Sequence, residues 1–203
     1  LCGRSGCGKS TFLKLLAGKE APDAGEITLP SGWHTALLSP EPYVITWTNV
    51  RQNVAMASGV GRTPEERYEH AMEYVKLVGL EDYADLSPVE LSTGMKQRLG
   101  LARVLASQAE VLLMDEPFAS LDFLTRAELQ HQVLQLQQKL PRTILLVTHQ
   151  LDEALLLGQS ITVMHPLGKT ETFDLSHLSY PRDLENGELK DLRRAVTEAC
   201  RKD

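Results

Sequence analysis

The sequence predicts an α/β fold: a mostly parallel sheet flanked by helices, with a helical subdomain inserted into it. Three observations carry that prediction. The runs EVLLM (110–114) and TILLVT (143–148) are short and nearly all apolar, as parallel strands covered on both faces are. Helical patterns alternate with such strands, which is the signature of a parallel sheet. Between residues 42 and 106 the alternation stops and the patterning is mainly helical. The chain has 203 residues, 42% of them hydrophobic and 24% charged, enough for one domain with a subdomain.

The elements follow in order. Ser10 to Gly18 reads as a helix, apolar at Phe12, Leu13, Leu15 and Leu16, with Gly18 suited to its C-terminal end. Glu26 to Leu29 and HTALLS (34–39) are expected short strands, and 40–48, with two prolines, an expected loop. A helix is predicted from Thr63 to Val78; Thr63 caps it, Pro64 suits its first position and Gly79 ends it. Ser92 to Ala106 is a further helix whose Leu99, Ala102, Val104 and Leu105 are core-forming. Leu124 to Leu140 is amphipathic, with Leu129, Val133, Leu136 and Leu140 on one stripe and five glutamines read as a solvated face. SITVMH is the last expected strand, and Leu184 to Arg201 a terminal helix with Leu189, Leu192, Val196 and Ala199 on one side.

Composition excludes several functions. The formal net charge is −6, so no global basic field favours nucleic acid. Cys2, Cys7 and Cys200 form neither a paired framework nor a metal spacing, which fits a reduced cytosolic setting. No apolar run is long enough to cross a bilayer, so a membrane role is expected only through a partner.

Three motifs carry chemistry. The opening LCGRSGCGKST fits G-x-x-x-x-G-K-[ST] through Gly3, Gly8, Lys9 and Ser10. Backbone N–H groups from Gly6 to Thr11 would wrap phosphates, with the helix N-terminus adding partial positive charge. Lys9 would meet the β- and γ-phosphates and the Ser10 hydroxyl a Mg²⁺ ion. VLLMDEP (111–117) would deliver Asp115 and Glu116 to a strand's C-terminal edge, one suited to a metal and one to general-base work; alone, they read equally well as surface carboxylates. LSTGMKQRLGLARVL (91–105) places Ser92 and Gly94 at a helix start, where an ordinary cap is the simpler reading. One chain cannot easily aim two helix N-termini at one γ-phosphate, whereas two facing chains can.

In that order, GRSGCGKST, LSTGMKQR, LLMDEPFASLD and VTHQ resemble the nucleotide-binding subunit of ATP-binding cassette transporters, over nearly the whole chain. The LS-x-GM-x-QR form, the run DEPFASLDFLTRAELQ and the short YPRD tail are most similar to the nitrate, sulfonate and taurine importer branch. The resemblance implies the P-loop nucleoside triphosphate hydrolase fold. It implies an ATPase that powers solute import, with ATP and Mg²⁺ as cofactors. The ATP-binding residues would be Gly3, Ser5, Gly6, Cys7, Gly8, Lys9, Ser10 and Thr11, together with Ser92, Thr93 and Gly94 acting on the opposite subunit's γ-phosphate and Asp122 in the loop joining the two sites. Ser10 and Asp115 would hold the metal. Glu116 matches the catalytic glutamate. His149, which alone would read as a satisfied strand-end histidine, matches the switch residue at the γ-phosphate.

Implied partners are a second copy in a head-to-tail dimer, transmembrane permease subunits and, indirectly, a solute-binding protein, at the cytoplasmic face of the inner membrane; no nucleic acid partner is expected. The permease would dock near 43–54, where Trp47 either contacts it or packs inside the subdomain. Expected divisions are a core at 1–41 and 107–165, a helical signature subdomain at 42–106 and a tail at 166–203.

The sequence also departs from the family. The glutamine expected after the strand ending near Ser39 is replaced by Pro40, which has no side-chain oxygen; Ser39 and Glu41 are its neighbours. Thr93 stands for a glycine, Gln150 for an aspartate, and Arg4 is unusual in the loop. ATP binding with reduced hydrolysis is therefore expected, and a hydrolysis-impaired cassette is the alternative. The N-terminal strands, the adenine-stacking aromatic and the strand feeding the loop are missing ahead of Leu1, so a gap is expected beside the strands ending at Asp115 and Thr148.

Overall fold

A computed structural model describes residues 1–140 and 142–201, so the predicted tail ends two residues beyond it. The chain divides into two compact units, 24–144 and 1–23 with 145–203.

In the first of these, β1 (Thr35–Leu38) pairs in parallel with β2 (Val111–Asp115), Leu38 opposite Met114. The sheet order is β1-β2-β3, and the Thr143 N–H that opens β3 (Thr143–Val147) donates to the Glu110 carbonyl at 3.0 Å. Leu112, Leu113 and Met114 are buried, as the apolar run requires. Glu26 to Leu29, expected as a strand, is irregular and exposed throughout. Alternation alone does not make a strand: its N–H and C=O groups need a ladder partner, and this segment makes no such pairing.

Three helices fill the middle of this unit: α2 (Val50–Ser58), α3 (Pro64–Leu77) and α4 (Thr93–Ala106). Thr63 caps α3 in a reciprocal box with Glu66, and Pro64 takes the first position, as predicted. Helix α2 was not predicted. Its signal is a second capping box, Asn49 with Gln52, directly after the loop-like stretch 40–48. Helix α4 packs on β1 because residue 100 is glycine: a Cβ there would sit 2.4 Å from Pro42 Cβ and 2.9 Å from Leu38 Cδ1. Asn53, fully buried, ties the preceding loop down. Its amide donates to the carbonyls of Ile45 and Asn49 and to the Thr48 hydroxyl, while its Oδ1 accepts from Ile45 N–H and Arg103 Nη1. Helix α5 (Phe123–Lys139) buries Leu129 and Val133, but also Gln130, so the glutamines are not all solvated.

In the other unit, α1 (Lys9–Leu16) follows the loop, and α6 (Leu151–Leu157) precedes β4 (Ser160–Met164). SITVMH is not the last strand. The alternating TETFD forms β5 (Thr170–Asp174), antiparallel to β4. Helix α7 (Gly187–Arg201) buries Leu189, Val196 and Ala199 against Ile161, Val163 and Leu155. Where a gap was expected beside the strand ending at Thr148, Leu1 and Cys2 run between two strands. Leu1 nitrogen donates to Leu146 O at 2.6 Å and Thr148 N–H to Leu1 O; Cys2 exchanges bonds with Thr162 and Met164, each 2.8 Å.

Gly100→Ala is expected to lose about 1–3 kcal/mol, the cost of overpacking a filled contact; urea denaturation of the full-length protein measures it.

Candidate functional site

The predicted phosphate loop has the required backbone. Gly3, Gly6 and Gly8 adopt φ of 146°, 84° and 101°, all in the positive range that favours glycine. Gly3 also lies under β4: a Cβ there would meet the Met164 carbonyl oxygen at 2.3 Å. Gly8 is the N-cap of α1 and brings no side-chain cap, so the first-turn N–H groups of Lys9, Ser10 and Thr11 face whatever the loop holds. Lys9 folds back into the loop, its Nζ donating to Gly3 O at 2.8 Å and Arg4 O at 2.9 Å, with Cys7 Sγ at 3.8 Å. Ser5, Gly6, Ser10 and Thr11 are exposed.

His149 belongs to the same unit and is exposed between β3 and α6. Its neighbours are fixed. The buried Thr148 hydroxyl donates to Glu153 Oε2 at 2.6 Å and accepts from Gln150 N–H at 3.0 Å. Sequence reading missed Glu153, whose signal is a carboxylate one turn into a helix that follows a strand-end threonine.

The carboxylates and the signature lie in the other unit, so the predicted metal pair, Ser10 and Asp115, is divided between units. Asp115 ends β2 and is 4% exposed. Glu116, next in line, has φ 51°, the only positive value at a non-glycine among the described residues. Such a conformation costs about 1–2 kcal/mol, and its place directly after a buried carboxylate marks it as more than a turn residue. Gln97, buried on α4, directs its amide at the carbonyls of Glu116 and Pro117, at 3.5 and 3.4 Å. Gln97 was legible only as part of the signature string.

Ser92 caps α4, its hydroxyl accepting from Met95 N–H at 3.3 Å, which is the simpler of the two readings; Ser92 and Thr93 are nevertheless exposed. Gly94 sits against the loop after β2, since a Cβ would be 3.3 Å from Ser120 O. Asp122 caps α5 through Thr125 N–H at 3.1 Å, and bonds from the Thr125 hydroxyl and N–H hold its carboxyl below the usual range. Signature, Glu116 loop and Asp122 are thus packed into one surface of this unit. Pro40 is exposed just beyond β1.

The ABC transporter family model matches residues 1–119. The chain belongs to the ABC transporter family. It is 40% identical over 171 residues to the taurine import ATP-binding protein TauB of Roseobacter denitrificans, covering 81% of this chain and 64% of that one. With the aliphatic sulfonates import ATP-binding protein SsuB of Granulibacter bethesdensis, identity is 45% over 164 residues, covering 81% and 66%. The chain thus spans about two thirds of the length of these relatives. A dimeric post-hydrolysis structure of the ATP-binding cassette MJ0796, bound to ADP and Pi, superimposes with a TM-score of 0.75 at 26% identity, covering 86% of this chain and 83% of that one. The P-loop α/β cassette fold and the ABC ATPase class are therefore those of this chain. Among the described residues no helix is long and apolar enough to cross a membrane.

Substituting Glu116 tests its backbone independently of chemistry. Stability is expected to rank Gly, then Glu, then Val, over about 2 kcal/mol, because only glycine adopts positive φ freely and a β-branched residue resists it most. Urea midpoints give the order.

Proposed function

We propose that this chain is the ATP-binding and ATP-hydrolysing subunit of an importer, acting as a head-to-tail pair at the cytoplasmic face of the membrane beneath permease subunits. The observation that carries it is the loop: three glycines at positive φ leading straight into α1, with Lys9 curled into the turn. On binding, a triphosphate would take over Lys9 from the Gly3 and Arg4 carbonyls, exchanging two neutral acceptors for an anion. The residues suit Mg²⁺, which needs few protein ligands when phosphates and water complete its shell; Ser10 and Asp115 supply hard oxygen donors. The bound ion would neutralise charge on the phosphates.

The chain's own groups divide the remaining work. Glu116, held by its strained backbone and by Gln97, would accept the proton of the attacking water, a role worth about 10²–10⁴-fold. His149 would contact the γ-phosphate. Ser92, Thr93 and Gly94 would close over the partner copy's nucleotide, with Asp122 joining the two sites. The names of the TauB and SsuB relatives support import of a small sulfonate-like solute through a permease, fed by a solute-binding protein. Tyr43 and Trp47 are 76% and 79% exposed on the loop pinned by Asn53, so Trp47 is available to a permease helix rather than packed inside the subdomain. The subdomain assignment, 42–106, is retained with this role.

Pro40 favours a second reading, a cassette that binds ATP but hydrolyses it poorly. Two experiments test these assignments on the full-length subunit with its permease. Glu116→Gln loaded with ATP is expected to pair and stay paired in size-exclusion chromatography; a permanently monomeric species would remove the head-to-tail pairing. Pro40→Gln is expected to raise ATPase turnover several-fold, and an unchanged or lower rate would count against a ligating role at that position.

A further inference from the structure

The YPRD segment, 180–183, has no part in the function above, yet its side chains are occupied. Helix α6 has seven residues, far short of the length at which a helix holds itself in water. Its orientation is therefore set from outside, by the face that buries Ala154 and Leu155 with Leu151 packed beside them, and by ties at its two ends. The last carbonyls of any helix lack intrahelical partners. Here the tail supplies them: Arg182 Nη1 donates to Leu155 O at 2.7 Å and to Gly158 O at 2.5 Å, and the Tyr180 hydroxyl to Leu157 O at 2.7 Å. Arg182 Nη2 continues to Leu175 O at 3.0 Å, so one guanidinium joins α6 to the turn after β5. The Tyr180 ring lies 4.3 Å from that guanidinium and holds its plane. A cation at this helix end also complements the helix dipole. Arg193 on α7 pairs with Asp152 on the first turn of α6 at 2.9 Å, a third tie between this helix and the tail.

The other end of α6 starts at Leu151, with Gln150 as its N-cap and His149 one residue earlier, and the buried Thr148–Glu153 bond ties that end to the threonine that follows β3. An element two turns long, clamped at its C-terminus and tied to Thr148 at its N-terminus, sets where the backbone of His149 leaves β3 and enters the helix. We propose that Tyr180 and Arg182 are positioning residues for His149, which act by clamping the carbonyl end of α6. This rests on the assignment of His149 to the γ-phosphate. Lysine cannot replace Arg182, because a single ammonium cannot reach carbonyls on both α6 and the turn after β5 in fixed geometry.

The test is steady-state ATPase of the full-length subunit in complex with its permease, for the wild type, Arg182→Ala, Arg182→Lys, Tyr180→Phe, His149→Ala and the double variant Arg182→Ala/His149→Ala. Arg182→Ala is expected to lower kcat about 10-fold, within the range that small misplacements cost, with KM for ATP changed less than about two-fold. Arg182→Lys should not restore kcat. In the His149→Ala background the further loss should fall below about two-fold, because the two residues act as one unit. Multiplying effects, or a change in KM alone, would overturn the proposal. Should Arg182→Ala fail to fold, Tyr180→Phe removes one hydroxyl only. It should shift the His149 ring resonances in ¹H–¹³C spectra, identified by their loss in His149→Ala, and unmoved resonances would overturn the proposal as well. An inactive wild-type complex, or a fully active His149→Ala, would instead remove the functional assignment on which it stands.

Discussion

The contact on which the nucleotide loop depends is the approach of Gly3 to the Met164 carbonyl. No side chain fits there, since a Cβ would lie 2.3 Å from that oxygen. Cys2, bonded to Thr162 and Met164, aligns the chain with β4 just before it must turn. Gly3 then leaves the strand at φ 146° and Gly8 enters α1 at φ 101°. Between them the backbone is held at both ends, and the Cys7 N–H closes a turn onto the Arg4 carbonyl at 3.3 Å. The shape of the loop is thus set by packing against β4 before any ligand or any charged side chain is considered. Lys9 reinforces it by bonding the Gly3 carbonyl across the turn.

The sequence was most legible where burial and local chemistry agree. EVLLM and TILLV are short, nearly all apolar and flanked by helical patterns, as parallel strands are; Thr63-Pro64 carries its own cap and start. It was least legible where one level contradicts another. Glu26 to Leu29 alternates, but no strand of the described chain offers it a ladder. TETFD, with equal alternation and a single aromatic, does pair, because the turn after Met164 brings it back along β4. Helix α2 is short and buries polar Asn53 and Ser58 beside Val50, Val54 and Ala55, so its inward face does not read as an apolar stripe. Asn53 illustrates the limit: a buried amide serving a loop and two helices has the same letter as any surface asparagine.

The site shows a similar division. Motif spacing named Lys9, Asp115, Glu116 and the signature residues, but not the conformations that give them work. The positive φ of Glu116 is invisible in DEP, and so is the amide of Gln97 aimed at the carbonyls on either side of that peptide bond. These two observations belong together. A residue held in a costly conformation persists only if its surroundings determine it, and a buried side chain from α4 is one such determinant. Ser92 is a case where the bland reading and the functional one coexist, since its hydroxyl can cap α4 and still lie at an exposed surface. Asp122 is another, its carboxylate engaged by Thr125 while its position in the loop after β2 is retained.

Pro40 has consequences beyond a missing ligand. The connector from β1 to the loop bearing Tyr43 and Trp47 runs Leu38-Ser39-Pro40-Glu41-Pro42, with its first residue buried and Pro42 wedged against Gly100. Each proline fixes its own φ and restricts the residue before it, so four consecutive residues lose most of their freedom. At the far end Asn53 pins Ile45 and Thr48. A glutamine at residue 40 would couple nucleotide to permease through a movable side chain. The proline-bound connector instead joins β1 to the loop bearing Tyr43 and Trp47 through residues with little backbone freedom, and Pro42 and Asn53 tie it to α4 and α2. On the proposed function, loss of a polar contact at the phosphate is then accompanied by a stiffer path to the partner. If Trp47 is the permease contact, a displacement there would meet β1 through a connector with few soft torsions, and β2, the strand paired with β1, ends at Asp115.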